Sequence, residues 1–145
     1  MKLGVMQPYF FPYIGYWQLL AFVDEYIIYD DVNYIKRGWM NRNHILVNGQ
    51  KHQINLHIKK ASQNRLIKDT EISQTEQDNE KLLATIKMGY HKAPYYDTVY
   101  DLLKRILYYD SMNLAEFLHN QLSMICNYLG IDTKLILSSS IEKDN

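Results

Sequence analysis

Pro8 and Pro12, four residues apart near the start of the chain, constrain its fold more than any other feature. Each lacks a backbone N–H and fixes its own φ, so neither a regular helix nor a central strand can run through them. The stretch from Gly4 to Trp17 is therefore a shaped loop, and it carries Tyr9, Phe10, Phe11, Tyr13, Tyr16 and Trp17. That is far more ring area than a solvated turn needs, so the loop is either packed or binding something.

The flanks give the loop a place in a fold. Lys2 to Gln7 is a short apolar run of the length expected for a strand buried on both faces. After the loop, Ile14, Trp17, Gln18, Ala21 and Phe22 recur at three- and four-residue spacing and predict a helix of about ten residues. Tyr26 to Tyr29 is again apolar and β-rich, and Asp30-Asp31 follows at once. Strand, loop, helix and strand make a βαβ unit with parallel strands. The aromatic loop and Asp30-Asp31 then share the carboxyl edge of an open α/β sheet, where ligands sit. The expected class is α/β: a three-layer, parallel-type, Rossmann-like sheet of nucleotidyltransferase type, with a β-hairpin insertion and a helical second half.

At 145 residues the chain has the size of one domain with one core, 47% of its residues being hydrophobic. Sixteen Lys and Arg balance sixteen Asp and Glu, which gives no reason to expect nucleic acid or an anionic membrane as partner. The single cysteine, Cys126, excludes an intramolecular disulfide and a cysteine-rich zinc site. With no apolar run long enough for a membrane span and no charged leader with an apolar core, the expected compartment is the cytoplasm. Thirteen Tyr against four Phe and two Trp suit a wet cleft or an interface better than a dry core.

The segment Asn33 to Arg42 is a basic loop around one glycine, offering Lys36, Arg37 and Arg42 as cations, Asn41 and Asn43 as amides and Trp39 as a stacking face. Such a set suits a phosphate, a carboxylate and a flat ring, or else a solvated turn with its tryptophan tucked under. Asn48-Gly49 between alternating runs, His44–Val47 and His52–Ile58, predicts a β-hairpin. His44, His52 and His57 have no carboxylate or thiol nearby in sequence, and no metal site is expected of them.

A polar loop, a strand-like piece from Leu66 to Ile72 and then helices follow. The first helix is capped at Ser73 or Thr75, carries Leu82, Leu83 and Ile86, and is broken by Gly89 and Pro94 in a stretch with Tyr90, His91, Lys92, Tyr95 and Tyr96. That stretch is either a third wall of a site or a joint plugged by aromatic rings. Helices at about 95–109 and 114–129 follow, the second capped by Asn113 and Gly130, and Lys134 to Leu137 is a final strand. Cys126 reads as a small buried residue, and Ser138 to Ser140 lie too near the chain end to be held rigidly, so they suggest no nucleophile.

Three motifs resemble the WbqC-like family, found among bacterial surface-polysaccharide and O-antigen biosynthesis genes. They are Met6-Gln7-Pro8-Tyr9-Phe10-Phe11-Pro12-Tyr13-Ile14-Gly15-Tyr16, then Tyr29-Asp30-Asp31-Val32-Asn33-Tyr34 with Lys36-Arg37-Gly38-Trp39-Met40-Asn41-Arg42-Asn43, and Tyr90-His91-Lys92-Ala93-Pro94-Tyr95. The resemblance implies a transferase, sometimes labelled a glycine transferase, and implies that 1–145 corresponds to the N-terminal portion of a longer family domain. A looser likeness is to nucleotidyltransferases similar to pantothenate synthetase, whose loop ends in His-x-Gly-His where this chain has Tyr13-Ile14-Gly15-Tyr16. Gly15 there permits close approach of a phosphate to a helix N-terminus, but the tyrosines stay neutral near pH 7.

The expectation is a transferase-like domain whose loop Gln7, Pro8, Tyr9, Tyr13, Gly15 and Tyr16 floors a pocket for a nucleotide-activated or aminoacyl substrate, the nucleotide accompanied by Mg²⁺. Asp30, Asp31 and Arg42 are the candidate catalytic residues; Lys36, Arg37, Trp39, Asn41, Asn43, Tyr90 and Lys92 complete the binding set. The alternative is a non-catalytic module whose aromatic loop docks on a protein partner or a second copy. A pocket requires Asp30 and Arg42 to converge on the loop, whereas docking requires Tyr9, Phe10 and Phe11 to be splayed on an open patch. If the rings are buried with no cavity beside them, they simply build the core.

Overall fold

A computed structural model describes residues 1–144. In chain order its elements are β1 (Leu3–Met6), α1 (Ile14–Phe22), β2 (Glu25–Ile28), β3 (Arg42–Val47), β4 (Gln50–Asn55), α2 (Glu76–Tyr90), α3 (Tyr96–Leu107), α4 (Leu114–Leu129) and β5 (Lys134–Leu137). The mixed α/β class is as expected, and β1, α1 and β2 form the βαβ unit with parallel strands, Leu3 opposite Glu25 through Met6 opposite Ile28. β5 pairs parallel on the other side of β2, giving the order β1-β2-β5.

The hairpin β3–β4 turns where the sequence requires it. Asn48 and Gly49 adopt φ of 52° and 75°, the left-handed pair that a two-residue turn matched to strand twist demands. α2 starts on a reciprocal capping box, Thr75 accepting from the Asp78 N–H while the Asp78 carboxylate accepts from the Thr75 N–H. Contrary to expectation, α2 is not broken at Gly89 but runs to Tyr90. Gly89 marks a close approach: a Cβ there would lie 2.9 Å from the Leu46 carbonyl oxygen of the hairpin.

The strand expected at Leu66–Ile72 is instead a 3₁₀ turn over Ile67–Asp69, flanked by single bridges of Asn33 to Leu66, Ile58 to Ile72 and Glu71 to Asn113. The Thr70 hydroxyl donates to the Leu66 carbonyl at 2.8 Å, a local bond that competes with a ladder. Asn113 caps α4 by accepting from the Glu116 N–H, and Gly130 ends it at φ 70°.

The core has two lobes. One gathers Ile54, Leu56, Leu82, Ile86, Leu102, Ile106 and Phe117 between hairpin and helices; the other gathers Tyr16, Leu20, Tyr26, Ile28, Leu122 and Cys126 between sheet, α1 and α4. In α1 the buried face is Tyr16 and Leu20, while Ile14, Gln18, Ala21 and Phe22 of the expected stripe are exposed. α1 is apolar almost all round, so its spacing names no face, and contact with the sheet decides.

β1 is not buried on both faces as its apolar run suggested. Register places Gly4, Tyr26 and Leu135, then Met6, Ile28 and Leu137, on the side that α1 and α4 cover. Leu3, Val5, Ile27 and Ile136 lie on the other side and belong to neither core lobe; Leu3 and Val5 are 52% and 51% exposed, while Ile27 on the central strand is only 9% exposed and Ile136 is half-buried. At β1 this face therefore lacks the expected third layer among the described residues.

Gly89→Ala tests the contact of α2 with the hairpin. Ala is the better helix former by about 0.8–1 kcal/mol, yet overpacking costs about 1–3 kcal/mol, so a net loss of up to about 2 kcal/mol in urea unfolding is expected. A gain would show that the hairpin yields to the methyl group.

Candidate functional site

The aromatic loop lies between the two lobes and is held by side chains from distant elements. Gln121 on α4 is fully buried, and both ends of its amide meet the loop backbone. Its Oε1 accepts from the Phe11 N–H at 2.9 Å, and its Nε2 donates to the Tyr9 carbonyl at 2.9 Å. Asn43 on β3 donates from Nδ2 to the carbonyls of Phe10 and Phe11 at 3.1 and 2.7 Å. The Phe10 N–H donates to the Trp39 carbonyl at 2.8 Å, and the Trp17 indole N–H to the Pro12 carbonyl at 3.0 Å. Prolines and left-handed Phe11, φ 41°, deny this loop a regular ladder, and side-chain amides replace it.

Phe10 is an anchor in the core, and Tyr9 and Phe11 are half-buried beside it. At the carboxyl end of β1 the loop walls a hollow of about 420 Å³ with Met6, Tyr9, Tyr13, Trp39 and Asn43. Tyr13 and Trp39 keep 65% and 45% of their surface, so two ring faces are open to an incoming group. This hollow brings together the first and second motifs.

Other expected members lie elsewhere. The Tyr16 ring is buried, its hydroxyl donating to the Gln7 carbonyl at 2.9 Å, and burial, then neighbouring Tyr26, pushes its pKa up. Pro8 is buried, and the space beside Gly15 is filled by the Tyr13 ring, 2.4 Å from where a Cβ would stand. Arg42 donates from Nε to the Gly38 carbonyl at 3.2 Å and from Nη2 to the Arg37 carbonyl, shaping the basic loop. Asn41 accepts from the Tyr34 hydroxyl and donates to the Leu56 carbonyl. Lys36 and Arg37 are exposed, Arg37 at φ 60°. Tyr90 lines a separate apolar cavity of about 290 Å³ with Phe11, Ile45, Val99 and Leu103, and Lys92 is exposed in the turn after α2.

Asp30, which follows β2, is 1% exposed, and Ser138, which follows β5, is 5% exposed. Asp30 Oδ1 accepts from the Ser138 hydroxyl at 3.0 Å and the Ser139 N–H at 2.9 Å; Oδ2 accepts from the Ser139 hydroxyl at 2.6 Å. The Asp30 N–H donates to Ser138 Oγ at 3.1 Å, and Asp31 Oδ1 lies 2.5 Å from the same oxygen. Lys143 places its ammonium on Asp31 Oδ2. The Lys143 hydrogen bond and then that of Ser138 hold the Asp31 carboxyl below its ordinary range, and Asp31 raises Lys143 in turn.

These two carboxylates do not converge with Arg42 on the hollow. With their oxygens engaged by hydroxyls, an N–H and an ammonium, they do not form a magnesium donor set as they stand. Among the described residues no group of three or more His, Cys, Asp and Glu could hold a metal ion.

The serines expected to be loose are therefore ordered: Ser138 and Ser139 tie β5 to β2. Their signal is position, hydroxyls directly after a strand that ends beside Asp30. Gln121 carries a plainer signal, a polar residue between Leu118 and Leu122 on a buried helical face. Cys126 is buried as expected, and burial pushes its thiol up to about 11, which leaves it unreactive near neutrality.

A parallel sheet with a walled hollow at its carboxyl edge defines an α/β domain with a candidate small-molecule site. The chain belongs to the WbqC-like protein family, whose family model matches residues 7–145. It is 35% identical over 143 residues to uncharacterized protein Rv1507c of Mycobacterium tuberculosis, a match that covers 97% of this chain and 62% of that relative. The chain thus spans less than two thirds of that relative's length. No solved structure matches it.

Gln121→Leu keeps the volume but leaves the Phe11 N–H and the Tyr9 carbonyl unpaired, and is expected to cost about 2–5 kcal/mol by urea unfolding. A loss below about 1 kcal/mol would show that the loop is not held by this amide.

The depressed Asp31 pKa means that its pairing with Lys143 stabilises the fold above the ordinary value of 3.8 and is lost as pH falls through the lower folded value. In Lys143→Ala the Asp31 carboxyl, followed by NMR titration, is expected to titrate at higher pH than in the wild type. An unchanged titration would contradict the contact.

Proposed function

We propose that the hollow at the end of β1 binds the ring of a nucleotide-activated or aminoacyl substrate in a transferase reaction of surface-polysaccharide biosynthesis. The observation that carries this reading is the pair of open ring faces, Tyr13 and Trp39, around a backbone that Gln121 and Asn43 hold in place. Stacking is tolerant of ring type, so a nucleobase or a sugar is accommodated. Lys36 and Arg37, exposed on the loop that bears Trp39, supply charge for a phosphate or carboxylate.

Asp31 lies at the same sheet edge with an ammonium already seated on it, so it suits the amine of an aminoacyl group, a glycyl group being the smallest. On this reading Asp30 and Arg42 are positioning residues, the first fixing Ser138 and Ser139 and the second shaping the basic loop. The docking alternative draws support from exposed rings and side chains at the two ends of α1, Ile14 next to Tyr13 at one end, 72% exposed, and Phe22 at the other, 65% exposed. It cannot use Phe10, which is in the core.

Thermal unfolding against nucleotides, nucleotide sugars, amino acids and aminoacyl nucleotides tests the reading. At about a hundred times Kd a ligand adds about 2.7 kcal/mol, a midpoint shift of about 5–10 °C for a domain of this size. One class is expected to give it, with the shift lost in Trp39→Ala and Tyr13→Ala. No shift with any class, or a shift that survives both substitutions, would refute the assignment.

A further inference from the structure

The sheet is finished on one side only. Its chain path steps from β1 to β2 to β5 in one direction, and right-handed crossovers that step one way leave their helices on one face. α1 and α4 accordingly share the face of Tyr26 and Ile28. Parallel sheets are ordinarily covered on both faces, and the second face is covered when a chain steps back past the first strand. Residues 1–144 make no such step. β1 is left as an edge strand, and beside it Met1, Leu3, Val5 and Tyr29 are 92%, 52%, 51% and 40% exposed.

We propose that the outer edge of β1 and the open part of the face beside it, where Leu3 and Val5 are exposed while Ile27 is already buried, seat a strand and an apolar helix face supplied by polypeptide from outside these 145 residues. Size argues against a second copy. Three strands of four residues span about 14 by 13 Å, roughly 190 Å², against about 800 Å² per partner in a stable interface.

The relative of Mycobacterium tuberculosis has the length for such an element, since this chain accounts for 62% of it. The position fits as well. A reversal at β1 opens a crevice at the carboxyl ends of the strands, and the hollow with Met6, Tyr9 and Tyr13 lies there. The incoming element thereby walls the same hollow. This holds whether or not the hollow takes a nucleotide, so failure of every ligand in the panel leaves it standing.

The experiment co-expresses the chain with the part of the mycobacterial relative that it does not span, in wild type, Val5→Glu and Leu46→Glu forms. Val5 and Leu46 are both exposed, so neither charge disturbs the core. Co-purification is expected with wild type and Leu46→Glu. Affinity should fall at least ten-fold in Val5→Glu, and the amides of Leu3 and Val5, which face the outer edge, should exchange more slowly in the complex. If the added part is insoluble alone, it is tethered to the chain by a flexible linker and the same amides are read. A complex indifferent to Val5→Glu, unchanged exchange in the complex or the tethered form, no complex between soluble partners, or self-association of the chain through this face would each overturn the assignment.

Discussion

The carboxyl edge of this protein depends on one buried amide. Gln121 spends its donor and its acceptor on the Tyr9 carbonyl and the Phe11 N–H, and so converts a proline-interrupted loop into a fixed surface. A buried amide is a costly choice unless both ends are paired, and here both are. α4 itself is set by its Asn113 cap and by Leu118 and Leu122 in the two core lobes, so the geometry of the loop is inherited from the most buried helix.

Around that clamp the rings divide their work. Phe10 is sealed into one lobe and Tyr16 and Tyr26 into the other, while Tyr13 and Trp39 stay exposed. Among the described residues the buried Tyr26 hydroxyl meets no hydrogen-bond partner, and the Tyr16 hydroxyl near it donates to the Gln7 carbonyl. A lone buried hydroxyl is an expense that a structural phenylalanine would avoid. The tyrosine excess is thus only partly a wet cleft, since several of these rings are plain core.

Legibility followed how local each signal was. The hairpin at Asn48-Gly49, the caps of α2 and α4 and the βαβ unit could be read because a few adjacent residues determine them. The face of α1 could not, because an almost uniformly apolar helix leaves the choice to its neighbours. Nor could the 3₁₀ turn at Ile67–Asp69, where a side chain of Thr70 outcompetes β pairing. At the site, the aromatic loop and Trp39 were visible as an unusual concentration of rings. The contacts of Arg42 with its own loop, and of Asp30 with serines 108 and 109 positions away, are long-range or conformational facts that no spacing encodes.

The measurement that bears most directly on this account is native-state hydrogen exchange at the Phe10 and Phe11 amides. If the loop is held by Trp39 and Gln121 as the structure shows, both amides exchange with protection comparable to those in the middle of α4 and open only with global unfolding. Exchange on the scale of exposed turns such as Asn48-Gly49 would mean that the loop opens independently. The fixed hollow, and the reading built on it, would then be wrong.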